Sequence, residues 1–423
     1  MPIFLLALLC SLPSNKTTFS ATEAEVIFNE LATCLDGDHQ NFWNPPLPAK
    51  AILFDPQTGR AACNSNPGQG VFEKQGAVWI GQMPQGPNIN GPVLSWVGQT
   101  WALIRWPLSP DPLARKREMV SRLWFPRAEA LGLPLSIQEN AHLNSLDGRL
   151  WMRLEWRALK TALQAEDLAM RGAVADALTF RRHRRNMSDT APFQEQTSEL
   201  VEGLAAYTGL MLSGEPDPQA WLLDQLDNME SAANYARDFP KWSGPAYGLL
   251  LDRMRPGWRK NLNANQDLGA MLEVGMTLII PKAWYDAATL RAKSYRIDQI
   301  RQEEIERAEY QKQWKRSRLQ LFVEEGHLDL PLSQLPLQET YASALNLGQD
   351  IYYLQTFEHK DEWGTLVTNA GAVLRISGSK LSLTLPTSIS KNKLQGDGWA
   401  IELQPDWETA PGSRDGDLIL VKK

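Results

Sequence analysis

Apolar residues recur along this chain at three different spacings, and the spacings divide it into three parts. Over residues 21 to 112 the pattern is mixed. It predicts a short helix at Ala21 to Cys34, strands at Ala51–Phe54 and Val71–Ile80, and a hairpin from Val93 to Trp106. Gly98-Gln99 reads as the hairpin's two-residue turn, because glycine in first place suits type II′. A proline-rich stretch, Pro107 to Pro112, closes the segment. From Leu113 to Arg318 the period is helical: Trp151, Leu154, Ala158 and Ala162 fall three and four apart, as do Leu200, Leu204 and Tyr207. The last helix is predicted from Trp284 to Arg318, and 14 of the 28 residues from Arg291 onward carry charge. Its apolar positions Leu290, Ile297, Ile300, Ile305 and Ala308 form one narrow stripe without a heptad, so a solvated helix is expected in preference to a coiled coil. From Leu319 the period switches to two. Leu328, Leu330 and Leu332 alternate with polar residues, as do Leu381, Leu383 and Leu385, and Trp399, Ile401 and Leu403 follow a Gly396-Asp397-Gly398 turn.

The expected fold class is therefore α+β. A mixed N-terminal region (21–112) and a mainly helical domain (113–318) precede a small antiparallel β domain (319–423). Composition adds little chemistry. The chain has 423 residues, 43% hydrophobic and 22% charged, which is ordinary for globular proteins. Forty-three basic against 49 acidic residues give a net charge of -6, which argues against nucleic acid as a partner. Sixteen tryptophans suit large cores or stacking surfaces.

The extreme N-terminus changes the picture more. Ile3 to Leu12 is apolar apart from Cys10 and Ser11. It is too short to span a bilayer, which takes about 20 residues, but suits the apolar core of a signal peptide. A leader over 1–20 is expected, although no basic residue precedes the apolar run; a buried N-terminal helix is the alternative. Export to the periplasm or the extracellular space follows, with no stable membrane span once the leader is removed. Loss of the leader leaves Cys34 and Cys63. One disulfide between them would close a loop of about 30 residues and add roughly 3 kcal/mol. Two unrelated thiols, one on a helix and one in a loop, are the other reading.

Nucleophile and phosphate motifs are lacking: there is no GxSxG, no GxxxxGK[ST] and no GxGxxG after a strand. No histidines stand at HExxH spacing, which removes the simplest helix-borne zinc site. Arg181-Arg182-His183-Arg184-Arg185 reads as a solvated helix end whose cations complement the dipole. Ser243 to Gly248 reads as a loop feeding a helix at Leu249–Met254.

One segment points further. Glu202-Gly203-Leu204-Ala205-Ala206-Tyr207 resembles the glutamate helix, E-G-x-A-x-Y, of the gluzincin metallopeptidases, the thermolysin-like and aminopeptidase-like zinc enzymes. Arg127 to Pro134, Asn140 to Leu143 and Leu154 to Leu159 are similar to phrases in secreted relatives of that family, so the resemblance spans roughly residues 93 to 260. In the family that glutamate is the third zinc ligand, downstream of an HExxH helix that itself follows an edge hairpin. The resemblance places Ser121-Arg122-Leu123-Trp124-Phe125 at the HExxH position. Ser121 and Phe125 then stand for the two histidines and supply no imidazole. Arg122 stands for the general base, and its guanidinium cannot accept a proton. Pro126 removes a backbone donor and is expected to kink the helix there. Glu155 is a second possibility for the third-ligand position.

What the resemblance implies is an exported, catalytically inactive metallopeptidase-like protein with no metal or cofactor, binding peptide or protein. Glu202, Tyr207, Glu155 and His142 are the candidate binding residues. Two alternatives stand beside it: a hydrolase built around Glu155, Glu202 and His142, and a structural extracellular interaction protein.

Overall fold

The structure, a computed structural model, describes residues 18–36, 42–68, 70–84, 89, 91–136, 138–280, 284–333 and 344–423. Most of the expected leader, including Ile3 to Leu12, lies outside these residues. The architecture is α+β, and the chain divides into two compact units, Met1–Glu304 and Ile305–Lys423. Among the described residues no helix is long and apolar enough to cross a membrane.

The first unit begins with helix α1 (Ala21–Leu35), closed at its start by a Ser20/Glu23 capping box. Six strands follow: β1 (Ala51–Phe54), β2 (Arg60–Cys63), β3 (Phe72–Gln75), β4 (Val78–Gln82), β5 (Val93–Trp96) and β6 (Gln99–Arg105). They form one sheet in the order β3-β4-β2-β1-β6-β5. β1 and β6 run parallel and every other neighbour antiparallel.

Alternation along the strands gives the sheet two apolar faces. Ala51, Leu53, Ala62, Ala102 and Ile104 pack with Ile27 and Leu31 of α1, while Ile52, Phe54, Cys63, Trp101 and Leu103 pack together on the other side. This corrects the expected disulfide. Cys34 belongs to the first cluster and Cys63 to the second, so the sheet lies between the two buried thiols and no bond joins them.

Two strand expectations also change. The segment Val71–Ile80 is the hairpin β3–β4, turning at Gly76-Ala77 with Gly76 at φ 63°. In the β5–β6 hairpin Trp96 faces Gln99, so the turn residues are Val97 and Gly98, both at positive φ, which is a type I′ pattern and not type II′.

The helices continue as α2 (Pro112–Arg122), α3 (Trp124–Ala130), α4 (Leu146–Gln164), α5 (Asp167–Arg185), α6 (Ala191–Ser198), a π-helical turn (Glu199–Gly203) and α7 (Leu204–Leu212). After them come α8 (Pro218–Met229), α9 (Tyr235–Asp238), α10 (Pro240–Met254), α11 (Leu268–Gly275), α12 (Trp284–Ala292) and α13 (Ile297–Leu319). Asp111 caps α2, accepting from the Ala114 backbone at 2.7 Å. The break between α2 and α3 falls at Leu123, where Pro126 has no N–H for the Arg122 carbonyl.

The single helix expected over Trp284–Arg318 is instead α12 and α13, parted by a 3-10 turn (Lys293–Tyr295) and by Arg296 at φ 61°. Ile297, Ile300 and Glu304 of α13 are buried, so the start of that helix is core and not solvated. Ser243 to Gly248 is not a loop but the interior of α10. Its small residues permit close approach of other helices.

The second unit carries β7 (His327–Pro331), β8 (Leu345–Gly348), β9 (Ile351–Leu354), β10 (Phe357–Asp361), β11 (Gly364–Thr368) and β12 (Ala372–Arg375). It ends with β13 (Lys380–Thr384), β14 (Ser388–Ser390), β15 (Lys393–Gly396), β16 (Trp399–Leu403), β17 (Trp407–Pro411) and β18 (Leu418–Lys422). Two sheets result, β10-β11-β16-β15-β14 and β17-β18-β7-β13-β12-β9-β8. All pairs are antiparallel except β18 with β7. The two sheets share one apolar cluster, with Leu328, Leu330, Leu381 and Leu383 from one and Leu366, Leu394, Trp399 and Ile401 from the other.

Candidate functional site

Helix α7 is clamped between two others by glycines. A Cβ on Gly209 would come within 2.5 Å of the Arg117 carbonyl oxygen on α2 and 3.2 Å of Ser121 Cβ. A Cβ on Gly203 would lie 2.9 Å from the Pro240 carbonyl, and one on Gly244 of α10 would lie 2.3 Å from Gly203 Cα. The glycine of the E-G-x-A-x-Y pattern is thus a backbone-contact residue. Around this crossing the tryptophans of the core find acceptors: Trp124 Nε1 donates to the Leu200 carbonyl at 2.9 Å and Trp156 Nε1 to Ser243 Oγ at 2.9 Å.

Above the clamp opens a cleft of about 240 Å³. Ser121, Arg122, Phe125 and Glu202 all line it, so the four positions singled out in two distant segments converge. Glu118 and Arg117 of α2, Ala205 and Ala206 of α7, Trp221 of α8, and Lys241, Trp242 and Pro245 of α10 complete the lining. Sequence reasoning missed Glu118, although it stands three and four residues before Ser121 and Arg122, on the same face of α2. Trp221 and Trp242 carried no sequence signal beyond their residue type.

The polar groups of the cleft differ in how they are held. Arg117 donates to Glu215 at 2.6 Å and lies over the Trp221 ring at 4.5 Å. Lys241 pairs with Asp238 at 3.1 Å. The Ser121 hydroxyl donates to the Glu118 carbonyl at 2.6 Å. Arg122 lies 5.8 Å from the Phe125 ring centroid, and its Nε is buried without a hydrogen-bond partner. Neither the Glu118 nor the Glu202 carboxyl has a hydrogen-bond or ion-pair partner among the described residues. Burial pushes the Glu118 carboxyl above the usual carboxylate range, with Arg122 pulling it the other way.

These residues do not fit the zinc that the family resemblance would bring. The oxygens available are two carboxyls and a hydroxyl already bonded to backbone, beside the fixed charge of Arg122. Among the described residues no group of three or more His, Cys, Asp or Glu side chains is placed to hold a metal ion.

The other candidates lie elsewhere. Tyr207 is fully buried, its hydroxyl bonded to Asp252 and Arg259, so it presents nothing to a ligand in the cleft. Glu155 is also fully buried. It accepts from Tyr247 Oη at 2.8 Å and from Arg181 at 3.3 Å, and pairs with Arg184. His142 Nε2 meets Glu195 Oε1 at 2.8 Å. Glu155 and His142 are thereby linked through Arg184 and Glu195, whereas Glu202 stands apart in the cleft; the three do not converge for acid–base work.

That linkage corrects the reading of Arg181 to Arg185 as a solvated helix end. Arg181, Arg184 and Arg185 turn inward and meet Glu155, Glu195, Glu199 and Asp267 in one buried ion cluster. Burial alone would raise the Glu195 carboxyl, but Arg184, His142 and Arg185 outweigh it and hold it well below the usual range. Of the four arginines, Arg182 is the most accessible, half-buried and pairing with Glu273 at 2.7 Å. His183 stacks on Trp151 with ring centroids 3.7 Å apart.

A scan against protein-family models and searches of curated proteins and of solved structures find no match to this chain.

Proposed function

We propose that this protein is an exported, non-catalytic relative of the gluzincin metallopeptidases that binds peptide or protein in the cleft beside α7. One observation carries the reading. Ser121, Arg122, Phe125 and Glu202, the positions that the resemblance assigns to two ligands, a base and a third ligand, lie together in one open cleft. Ser121, Arg122 and Phe125 are neighbours in sequence, so the support comes from Glu202, which reaches the same cavity from a distant segment. The residue at position 122 supports binding without hydrolysis: an always-protonated guanidinium, which cannot accept a proton, stands where the resemblance puts the general base.

The test is elemental analysis of protein purified without chelator or histidine tag, followed by a peptide-library binding screen. The expected outcome is far less than one zinc per chain and peptide capture that A206W, which fills the cleft without changing its charge, abolishes. Zinc near one per chain would overturn the reading.

A further inference from the structure

The charges lining the cleft do not balance. Arg117 is neutralised by Glu215 and Lys241 by Asp238. What remains is Glu118 and Glu202 against Arg122: two carboxyls less one guanidinium, a deficit of one positive charge. The wall beside them is aromatic. Trp221 and Trp242 stand 6.1 Å apart between ring centroids, tilted by 31°, and Phe125 adds a third ring. Indole faces attract cations, and one face of Trp221 already carries the Arg117 guanidinium. Resting on the reading of the cleft as a peptide site, we propose that it recognises a primary ammonium group, held between Glu118 and Glu202 against the tryptophan wall.

The chemistry is specific to a cation of that size. An alkylammonium brings one charge, which restores balance, and three N–H donors for two carboxyls that have no other partner. A carboxylate would gain Arg122 but face both glutamates. A neutral apolar group would leave all three charged groups unpaired as water is expelled. Burial raises the Glu118 carboxyl although Arg122 lowers it in part, so a further cation beside it would favour the ionised form. Arg122 has the opposite effect on such a ligand: it repels an ammonium, so its removal should tighten binding.

The ammonium of a peptide comes from its N-terminus or from a lysine side chain, and the experiment separates them. n-Butylammonium, n-butanol and butyrate are titrated by calorimetry into the full chain and into E118Q, E202Q and R122Q, each first checked for an unchanged melting profile. Butylammonium should bind and the other two should not; E118Q and E202Q should each weaken it roughly tenfold and R122Q should tighten it several-fold. R122Q keeps the proposal testable if E118Q or E202Q fails to fold, since structural damage does not improve affinity. Peptides then follow, with free or acetylated N-terminus and with lysine or norleucine. Loss on acetylation assigns the N-terminal ammonium, and loss on norleucine assigns the side chain.

Butylammonium binding no tighter than butanol, or unaffected by all three variants, would overturn the inference. Peptides that bind regardless of their amines would overturn it too, while leaving the peptide reading intact. Butylammonium that binds where no peptide does would overturn the peptide reading and support the ammonium site.

Discussion

Val97 is a β-branched residue held at φ 53° in the first position of the β5–β6 turn, ahead of Gly98 at φ 67°. Its two γ-methyls crowd the backbone in that region, where asparagine is comfortable and valine is rare. The side chain offers some return, since it packs at the edge of the apolar cluster on the outer sheet face. V97N is expected to stabilise the first unit by about 1 kcal/mol, measured by denaturant unfolding. A loss of stability would show that this edge packing exceeds the backbone strain. The same position explains why the turn was misplaced from sequence. A rule that looks for glycine first finds Gly98 and shifts the hairpin by one residue.

Between elements, the strongest feature is the cluster that ties α4, α5, α6 and α11 through buried charge. Arg184 joins Glu155 of α4 to Glu195 of α6, and all three side chains are 0% exposed. R184M should cost roughly 3 kcal/mol, because it removes the cation shared by two carboxylates buried away from water, leaving Glu155 only the longer contact to Arg181 and Glu195 only Arg185 and His142. A double variant, R184M with E155Q, should recover part of that loss; equal losses in both would place the damage in packing and not in charge. The inward face was legible in principle. Residues 181, 184 and 185 recur at three and four, the spacing of a buried helix stripe, but arginine residue type outweighed the period. Glu118 was hidden for a similar reason. It shares a face of α2 with Ser121 and Arg122, yet only the pentapeptide was read.

For the whole chain, period and turn residues recovered the α+β plan, the first strand at Ala51–Phe54 and the leucine-rich strands of the second unit. They failed where backbone conformation decides. Arg296 in the left-handed region splits a charged helix that no proline or glycine marks, and Gly76 folds one expected strand into two. The cleft was half legible: four of its lining residues were singled out by a likeness to short motifs, whereas Trp221, Lys241 and Trp242 arrive from α8 and α10 by tertiary packing alone.

The second unit has its own pH signature. His327 is buried, hydrogen-bonded to the Glu325 carbonyl at 2.9 Å and paired with Asp329 at 3.3 Å and Asp417 at 3.2 Å, with Arg375 and Arg414 close by. The bond to Asp329 raises its imidazole above the ordinary value, despite burial. A raised folded value means the protonated ring stabilises the fold below about pH 6.5 and ceases to do so as the pH climbs through the folded value. Hydrogen exchange on β7 and β13 should therefore show H327Q most destabilised near about pH 6, with the deficit closing by about pH 9. A deficit that widens with pH would mean that the neutral ring is the stabilising form.

Beside α7, backbone meets backbone directly at two points, Gly203 against Gly244 of α10 and Gly209 against the Arg117 carbonyl of α2. Side-chain layers let helices slide by exchanging rotamers, and at these two points that layer is interrupted. The cleft floor is in this sense a fused joint. A guest meets a receptacle whose shape is set before it arrives, spends little free energy on organising it, and can be discriminated by fit from the first encounter.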